Sequence, residues 1–143
     1  MTDALYQDAI LAHAKAAHGA GRLEDADGTA TVDNPLCGDR VTMDVTLDDA
    51  GTIARLGHKV RGCVLCNAVS SVLADHAAGL SPEDLHAVGE AFEAMIRNGG
   101  PVPEGWPDLS AFEPVREAKS RHECVLLPFE ALEQAVEDAR RQG

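Results

Sequence analysis

The sequence predicts an α+β fold, a small antiparallel sheet of about three strands with helices covering one face. Two periodicities and their order carry that expectation. Residues 41–47 alternate apolar and polar side chains, the apolar positions recur at helical spacing from about residue 64, and one helical segment precedes the strands.

Taken in order, residues 3–18 read as the first helix, with Thr2 as N-cap and Asp3 in the first turn. Leu5, Ala9, Ala12 and Ala16 lie at helical spacing, and Gly19-Ala20-Gly21 ends the run. The polar stretch 24–28 is a connection, followed by a short strand over 29–32. Val41, Met43, Val45 and Leu47 then alternate with Thr42, Asp44 and Thr46, the pattern of a half-buried antiparallel strand. Asp48-Asp49-Ala50-Gly51 supplies a hairpin connection, and 52–60 returns with Ala54, Leu56, His58 and Val60 on one face.

The next helix carries Leu65, Val69, Val72, Leu73 and His76 on one stripe and ends at Ala78-Gly79. Ser81 caps a further helix, with Pro82 at N1, Glu83 and Asp84 in the first turn, and Leu85, Val88, Phe92, Met95 and Ile96 as its buried face. Asn98-Gly99-Gly100-Pro101 stops it. Pro101, Pro103, Pro107 and Pro114 make 98–114 the least regular stretch, yet the single Trp, Trp106, should pack that stretch down. A short helix is expected within 109–119. The last helix shows an apolar stripe of Phe129, Leu132, Ala135, Val136 and Ala139 and ends in Arg140 and Arg141, charges that suit a helix C-terminus.

A chain of 143 residues, 45% hydrophobic and 25% charged, suits one domain spanning 1–143, with no internal repeat or interdomain linker. Aromatic residues are only 3%, so Leu, Val, Ile and Ala must build most of the core. Twelve basic against twenty-four acidic side chains give a net charge of −12, which argues against nucleic acid and against anionic membrane surfaces as partners. No stretch reaches the roughly 20 apolar residues of a membrane span. The beginning, Met1-Thr2-Asp3-Ala4-Leu5, lacks the basic and apolar regions of a secretory signal, so a cytoplasmic location is expected.

Three segments combine a thiol with a turn or an element end. In Asn34-Pro35-Leu36-Cys37-Gly38-Asp39, Pro35 keeps Asn34 out of the helical region and Gly38 permits an unusual backbone angle. A Cys-Gly-Asp turn can therefore aim a thiolate and a carboxylate at one point; the plainer alternative is an Asp39 that only bonds within its turn. Gly62-Cys63-Val64-Leu65-Cys66 lies where a strand gives way to a helix, whose free N–H groups stabilise a thiolate at Cys63. Cys66, one turn further, falls at the edge of the apolar stripe and reads as a core thiol in preference to a spare ligand. A thioredoxin-like pair is disfavoured because a hairpin, not a βαβ unit, precedes it, and no second Cys-x-x-Cys exists for a four-thiol zinc knuckle. In Lys119-Ser120-Arg121-His122-Glu123-Cys124, Arg121 is placed to neutralise excess negative charge around a metal–thiolate site. His122 is a candidate ligand, although a histidine exposed in a loop is the commoner outcome and the one expected.

Together these segments resemble the U-type iron–sulfur assembly proteins, the family of IscU, SufU and the N-terminal domain of NifU. The resemblance rests on Asn-Pro-x-Cys-Gly-Asp at 34–39, Gly-Cys at 62–63 and a late Cys124 before a helix, with Leu5-Tyr6 and residues 68–71 in support. The long Pro-rich connection before Cys124, Glu123 in place of a His, and Arg121 three residues ahead of Cys124 favour the SufU-like subtype. The chain departs from the family at Val60, where a Gly is usual, at Cys66, where a small residue such as Ser is common, and at His58, where an apolar residue is usual.

The resemblance implies a SufE/NifU-like fold with a Pro-rich insertion before the last cysteine. It implies Cys37, Asp39, Cys63 and Cys124 as metal ligands, Arg121 beside the cofactor, and Cys124 as the nucleophile. Three thiolates and one carboxylate form a mixed donor set that Zn2+ accepts tetrahedrally. In SufU-like proteins the last Cys accepts persulfide sulfur from a cysteine desulfurase of the SufS type, whose His takes the vacated place on zinc; release matters because a metal-bound thiolate is a poor nucleophile. IscU-like proteins instead assemble a [2Fe–2S] cluster from Fe2+ and sulfide on the same ligands and hand it to downstream recipients. A sulfurtransferase role and a scaffold role thus both stand, while a zinc hydrolase lacks a well-placed acid–base pair.

Overall fold

The structure, a computed structural model, describes residues 8–35 and 38–142. The expectations for Thr2, Asp3, Leu5, Tyr6 and Cys37 lie outside the described residues. Helix α1 spans Asp8–Ala16, and strands β1 (Gly28–Asn34), β2 (Asp39–Leu47) and β3 (Ile53–Arg61) follow. Helices α2 (Val64–His76) and α3 (Pro82–Asn98) come next, then two 3-10 segments, Pro107–Glu117 and Lys119–Arg121, and finally α4 (His122–Gln142). The fold is the expected α+β arrangement: three antiparallel strands in the order β1-β2-β3.

The register makes β2 the central strand. Val41, Met43 and Val45, all fully buried, face the core, where α4 lies against β1 and β2 and α2 against β3. Met43 pairs with Ala30 on one side and His58 on the other. A register shift between Thr46 and Leu47 ends the regular pairing with β3 before the turn.

Alternation predicted that Thr42 and Asp44 would be solvated, but both are buried. The chain between α1 and β1 wraps round the β3 edge, exchanging backbone hydrogen bonds with His58 (His58 N to Gly19 O, 3.0 Å; Gly21 N to His58 O, 2.8 Å), and then crosses the far face. There Asp44 accepts from Arg22 Nε at 2.6 Å, Thr29 Oγ1 at 2.7 Å and the Leu23 N–H at 3.1 Å. Burial alone would raise the Asp44 pKa; these donors outweigh it and hold the carboxyl below its ordinary range. His58 is buried on the core face, where its Nε2 donates to the His18 carbonyl at 2.7 Å. Burial lowers its pKa, so the ring is neutral and carries its proton on Nε2.

Helix α3 begins and ends as read: Ser81 accepts the Asp84 N–H, and Gly99 closes the helix with φ 71°. Leu85, Val88, Phe92, Met95 and Ile96 are its buried residues. The helix expected within 109–119 is a 3-10 segment instead, Pro107–Glu117, because Pro114 inside it has no N–H for an α-helical bond. Trp106 packs down as expected, stacking on His76 with centroids 4.3 Å apart. Among the described residues, no helix is long and apolar enough to cross a membrane.

Helix α4 passes so close to β1 that a Cβ on Gly28 would lie 2.3 Å from the Ala135 carbonyl oxygen and 2.4 Å from the Ala139 nitrogen. Both obstacles are backbone and cannot swing aside. Gly28→Ala should therefore destabilise the fold by about 1–3 kcal/mol, read as a lower urea midpoint with unchanged slope. An unchanged midpoint would mean that the strand and helix are less tightly apposed than described.

Candidate metal centre

The site grows from the meeting of two element ends. The β1–β2 hairpin closes with Asn34 paired to Asp39, and Gly38, at φ 74°, donates its N–H to the Asn34 carbonyl at 2.8 Å. That left-handed angle suits glycine and starts β2 with the Asp39 side chain buried. Arg40 pairs with Arg61 at the end of β3, so the start of β2 lies beside the Gly62-Cys63 step into α2. Asp39 Oδ1 accepts the Cys63 N–H at 3.1 Å. A helix start leaves such N–H groups without partners, and a carboxylate there satisfies one of them and suits the local positive potential. Gly62 makes room: a Cβ on it would lie 2.2 Å from Asp39 Oδ1.

Cys63 is the N-cap residue of α2 and is partly exposed; Cys66 is fully buried. The Cys66 thiol lies 3.5 Å from Asp39 Oδ2, the Cys63 sulfur lies 3.9 Å from the same oxygen, and one ligand atom from each of the three residues falls within 4.8 Å of the others. Cys66 also donates to the backbone carbonyl of Cys124 at 2.9 Å. In a regular helix the residue at 128 would donate to that carbonyl, but Pro128 has no N–H. The thiol of α2 thus fills a gap that a proline opens in α4.

The electrostatics divide the thiols. The Cys124 and Cys66 thiols, hydrogen-bonded to Cys63, hold its pKa down to about 2 against the cost of burial, aided by the N–H groups of Cys66 and Leu65 at the helix start. Cys66 is pushed up by its hydrogen bonds with Cys124 and Cys63 and by burial, and Cys124 is pushed up first by its bond with Cys63. Within the cluster, deprotonation is therefore favoured at Cys63 and disfavoured at Cys66 and Cys124.

The donor set fits a tetrahedral divalent metal. Zinc–sulfur and zinc–oxygen bonds at tetrahedral angles separate S from O by about 3.5–3.7 Å and S from S by about 3.8 Å. Of the two sulfur–oxygen separations at Asp39 Oδ2, that to Cys66, 3.5 Å, matches an edge of such a polyhedron, and that to Cys63, 3.9 Å, is a few tenths of an ångström longer. Soft thiolates with one carboxylate also suit zinc or ferrous iron better than calcium or magnesium.

Of the residues singled out by sequence, Asp39, Cys63 and Cys124 come together here, and Cys37 lies outside the described residues. Cys66, expected at the margin of the apolar stripe, is buried and touches the Asp39 carboxylate; its Cys-x-x-Cys spacing was the one signal that could have placed it there. The last helix starts earlier than expected, at His122, so Cys124 belongs to its first turn. His122 is buried against the Arg116 carbonyl (3.1 Å), not exposed in a loop. Arg121 ends the short 3-10 segment leading into α4 and is partly exposed. Glu123 pairs with Arg97, tying the start of α4 to α3.

The close approach at Gly62 yields a test. Gly62→Ala should push the Asp39 carboxylate off the start of α2 and weaken metal binding by roughly 10–100-fold, the usual cost of disturbing how a ligand is held. Competition titration with a chromophoric chelator measures it, and wild-type affinity in the variant would remove Asp39 from the donor set.

Residues 5–104 match the family model described as NifU-like N terminal domain. The chain is 26% identical over 133 residues to an iron–sulfur cluster assembly scaffold protein IscU of Streptococcus pyogenes serotype M1, covering 92% of this chain and 82% of that one. It is 26% identical over 138 residues to the IscU scaffold protein of Thermotoga maritima, covering 96% of each. Among solved structures, a NifU-like protein (N-terminal) from Brucella abortus superposes with TM-score 0.92 at 35% identity over 99% of both chains. A candidate SUF-system scaffold protein from Fervidobacterium islandicum AW-1 shares the fold, with TM-score 0.86 at 24% identity over 95% of this chain and 99% of that one. Sequence match and superposition agree: this chain belongs to the NifU-like N-terminal domain family of U-type iron–sulfur assembly proteins.

Proposed function

We propose that the chain, acting as one unit over 1–143, serves iron–sulfur cluster assembly as a zinc-dependent acceptor of persulfide sulfur. Its donor would be a cysteine desulfurase of the SufS type, and its products would pass to downstream assembly or recipient proteins. The observation that carries this reading is the cluster of Asp39, Cys63 and Cys66 with Cys124 hydrogen-bonded into it. In the proposal Cys37, Asp39, Cys63 and Cys124 hold Zn2+. Bound zinc would keep the thiolates deprotonated near neutral pH and relieve their mutual repulsion.

The protein's part in the transfer is positional. Asp39, fixed on the Cys63 N–H, holds the carboxylate at the helix start, and the first turn of α4 presents Cys124 at the same point. Free of the metal, the Cys124 thiolate attacks the outer sulfur of the desulfurase persulfide. A sulfur–sulfur bond forms at Cys124 as the donor's bond breaks, and the desulfurase cysteine leaves as a thiolate. Arg121, one turn before Cys124, offers a positive charge to the anions gathered there.

The IscU relatives support a second reading, in which the same ligands assemble a [2Fe–2S] cluster from Fe2+ and sulfide as cargo. Metal analysis of purified protein with a desulfurase assay separates the two. One zinc per chain with enhanced sulfide release favours transfer, whereas a stable cluster after anaerobic reconstitution favours the scaffold.

Cys124→Ser should abolish persulfide loading, read by mass spectrometry after incubation with desulfurase and cysteine, while circular dichroism stays that of the wild type. Loading equal to wild type would reassign the acceptor. Asp39→Ala should retain metal on the thiolates but exchange it faster, because the lost oxygen donor leaves a position to water. Unchanged stoichiometry, exchange rate and cluster lifetime would reduce Asp39 to a turn residue.

A further inference from the structure

With Cys37, which the proposed function counts among the ligands, Asp39, Cys63, Cys66 and Cys124 make five donors, one sulfur more than four-coordinate zinc needs. Resting on the sulfur-accepting role given above to Cys124, we propose that Cys66 is a reserve ligand, which takes the coordination position that Cys124 leaves when it carries sulfur. Cys66 already stands at ligand spacing from Asp39 Oδ2, 3.5 Å, and within 4.8 Å of the Cys63 donor. It also touches the residue it replaces, donating to the Cys124 carbonyl at 2.9 Å. It is fully buried, so the substitute ligand comes from inside the protein and needs no exposed opening.

The exchange balances. A metal–sulfur bond forms at Cys66 as one breaks at Cys124; Cys66 gives up its S–H proton, and Cys124 departs as a thiolate. That thiolate takes the outer sulfur of the persulfide, and the desulfurase thiolate so released takes up the proton. No outside oxidant or reductant enters. While Cys66 is coordinated, the Cys124 carbonyl lacks its thiol donor, and Pro128 cannot supply an N–H in its place. This favours return to the original arrangement once Cys124 has unloaded.

Without such a ligand, the departure of Cys124 would open the metal to water and to competing thiols at the moment of transfer. A desulfurase side chain could fill the gap in trans; Cys66 fills it in cis, before and after the partner is present.

Cobalt(II), added anaerobically to the full chain, tests this through its sulfur-to-metal charge-transfer absorption, whose intensity scales with the number of thiolate ligands. The comparison uses wild type, Cys124→Ser, Cys66→Ser and the double variant. Serine at 66 keeps a donor for the Cys124 carbonyl and removes only the soft ligand. Each single variant should keep the wild-type band and bind cobalt within about tenfold of wild type, because one thiol covers for the other. The double variant should lose about one thiolate's share of intensity and bind at least about tenfold more weakly than either single variant.

A Cys124→Ser protein whose band already falls to the double-variant level overturns the proposal, as does a wild type that binds no cobalt. The first of these comparisons leaves position 66 untouched, so it decides the matter even if the double variant does not fold. If Cys124 takes no persulfide yet the cobalt series shows mutual cover, the ligand role of Cys66 stands and the sulfur-transfer reading falls.

Discussion

The hydrogen bond from the Cys63 N–H to Asp39 Oδ1 joins the first residue of the central strand to the first cap of the helix that follows the sheet. Much else depends on it. It gives a partner to an N–H that the start of α2 would otherwise leave bare, and it fixes the carboxylate where the sulfur atoms gather. It also requires a residue without a side chain at position 62, since a Cβ there would occupy the carboxylate's place. One contact between residues 24 positions apart thereby links the start of a strand, a helix cap and a group of thiols.

Helix α4 completes both the core and the site. Its stripe of Phe129, Leu132, Ala135 and Val136 is buried against the sheet and neighbouring helices, while its first turn carries Cys124 to the start of α2. The few large rings of this aromatic-poor chain are concentrated near that helix. Phe92 meets Phe112 edge-on at 6.0 Å and Phe129 at 5.2 Å, and Trp106 lies 6.1 Å from Phe129. Such contacts add modest energy beyond burial but restrict how α3, the Pro-rich stretch and α4 can shift past one another. Precise placement of Cys124 therefore has support well away from the sulfur atoms.

A net charge of −12 must be managed in so small a chain, and the few cations are placed economically. Arg97 bridges Glu93 of its own helix and Glu123 beside Cys124; His86 contacts Glu90 and Glu133. These pairs are largely exposed and individually weak, but Arg97–Glu123 and His86–Glu133 join α3 to α4 at points where two acidic faces would repel. Arg22 on Asp44 differs in kind, because that carboxylate is fully buried and loss of its partner would leave an uncompensated charge.

The periodicity of the sequence, by itself, determined the fold class, the strand pair round the turn at Asp48, the caps and buried face of α3, and the packing down of Trp106. These are local properties: alternation, helical spacing and capping chemistry act between residues a few positions apart. The resemblance to U-type assembly proteins pointed further, to Cys37, Asp39, Cys63 and Cys124 as metal ligands, of which the described residues bring Asp39, Cys63 and Cys124 together. Tertiary structure alone decided that Asp44 is buried beneath the segment wrapping from α1, and that His122 turns to the Arg116 carbonyl. It alone placed Cys66 against both Asp39 and Cys124, 27 and 58 residues away. No window of sequence contains both partners of such a contact, and a proline in α4 that leaves a carbonyl for a thiol in α2 gains its meaning only when the two helices meet.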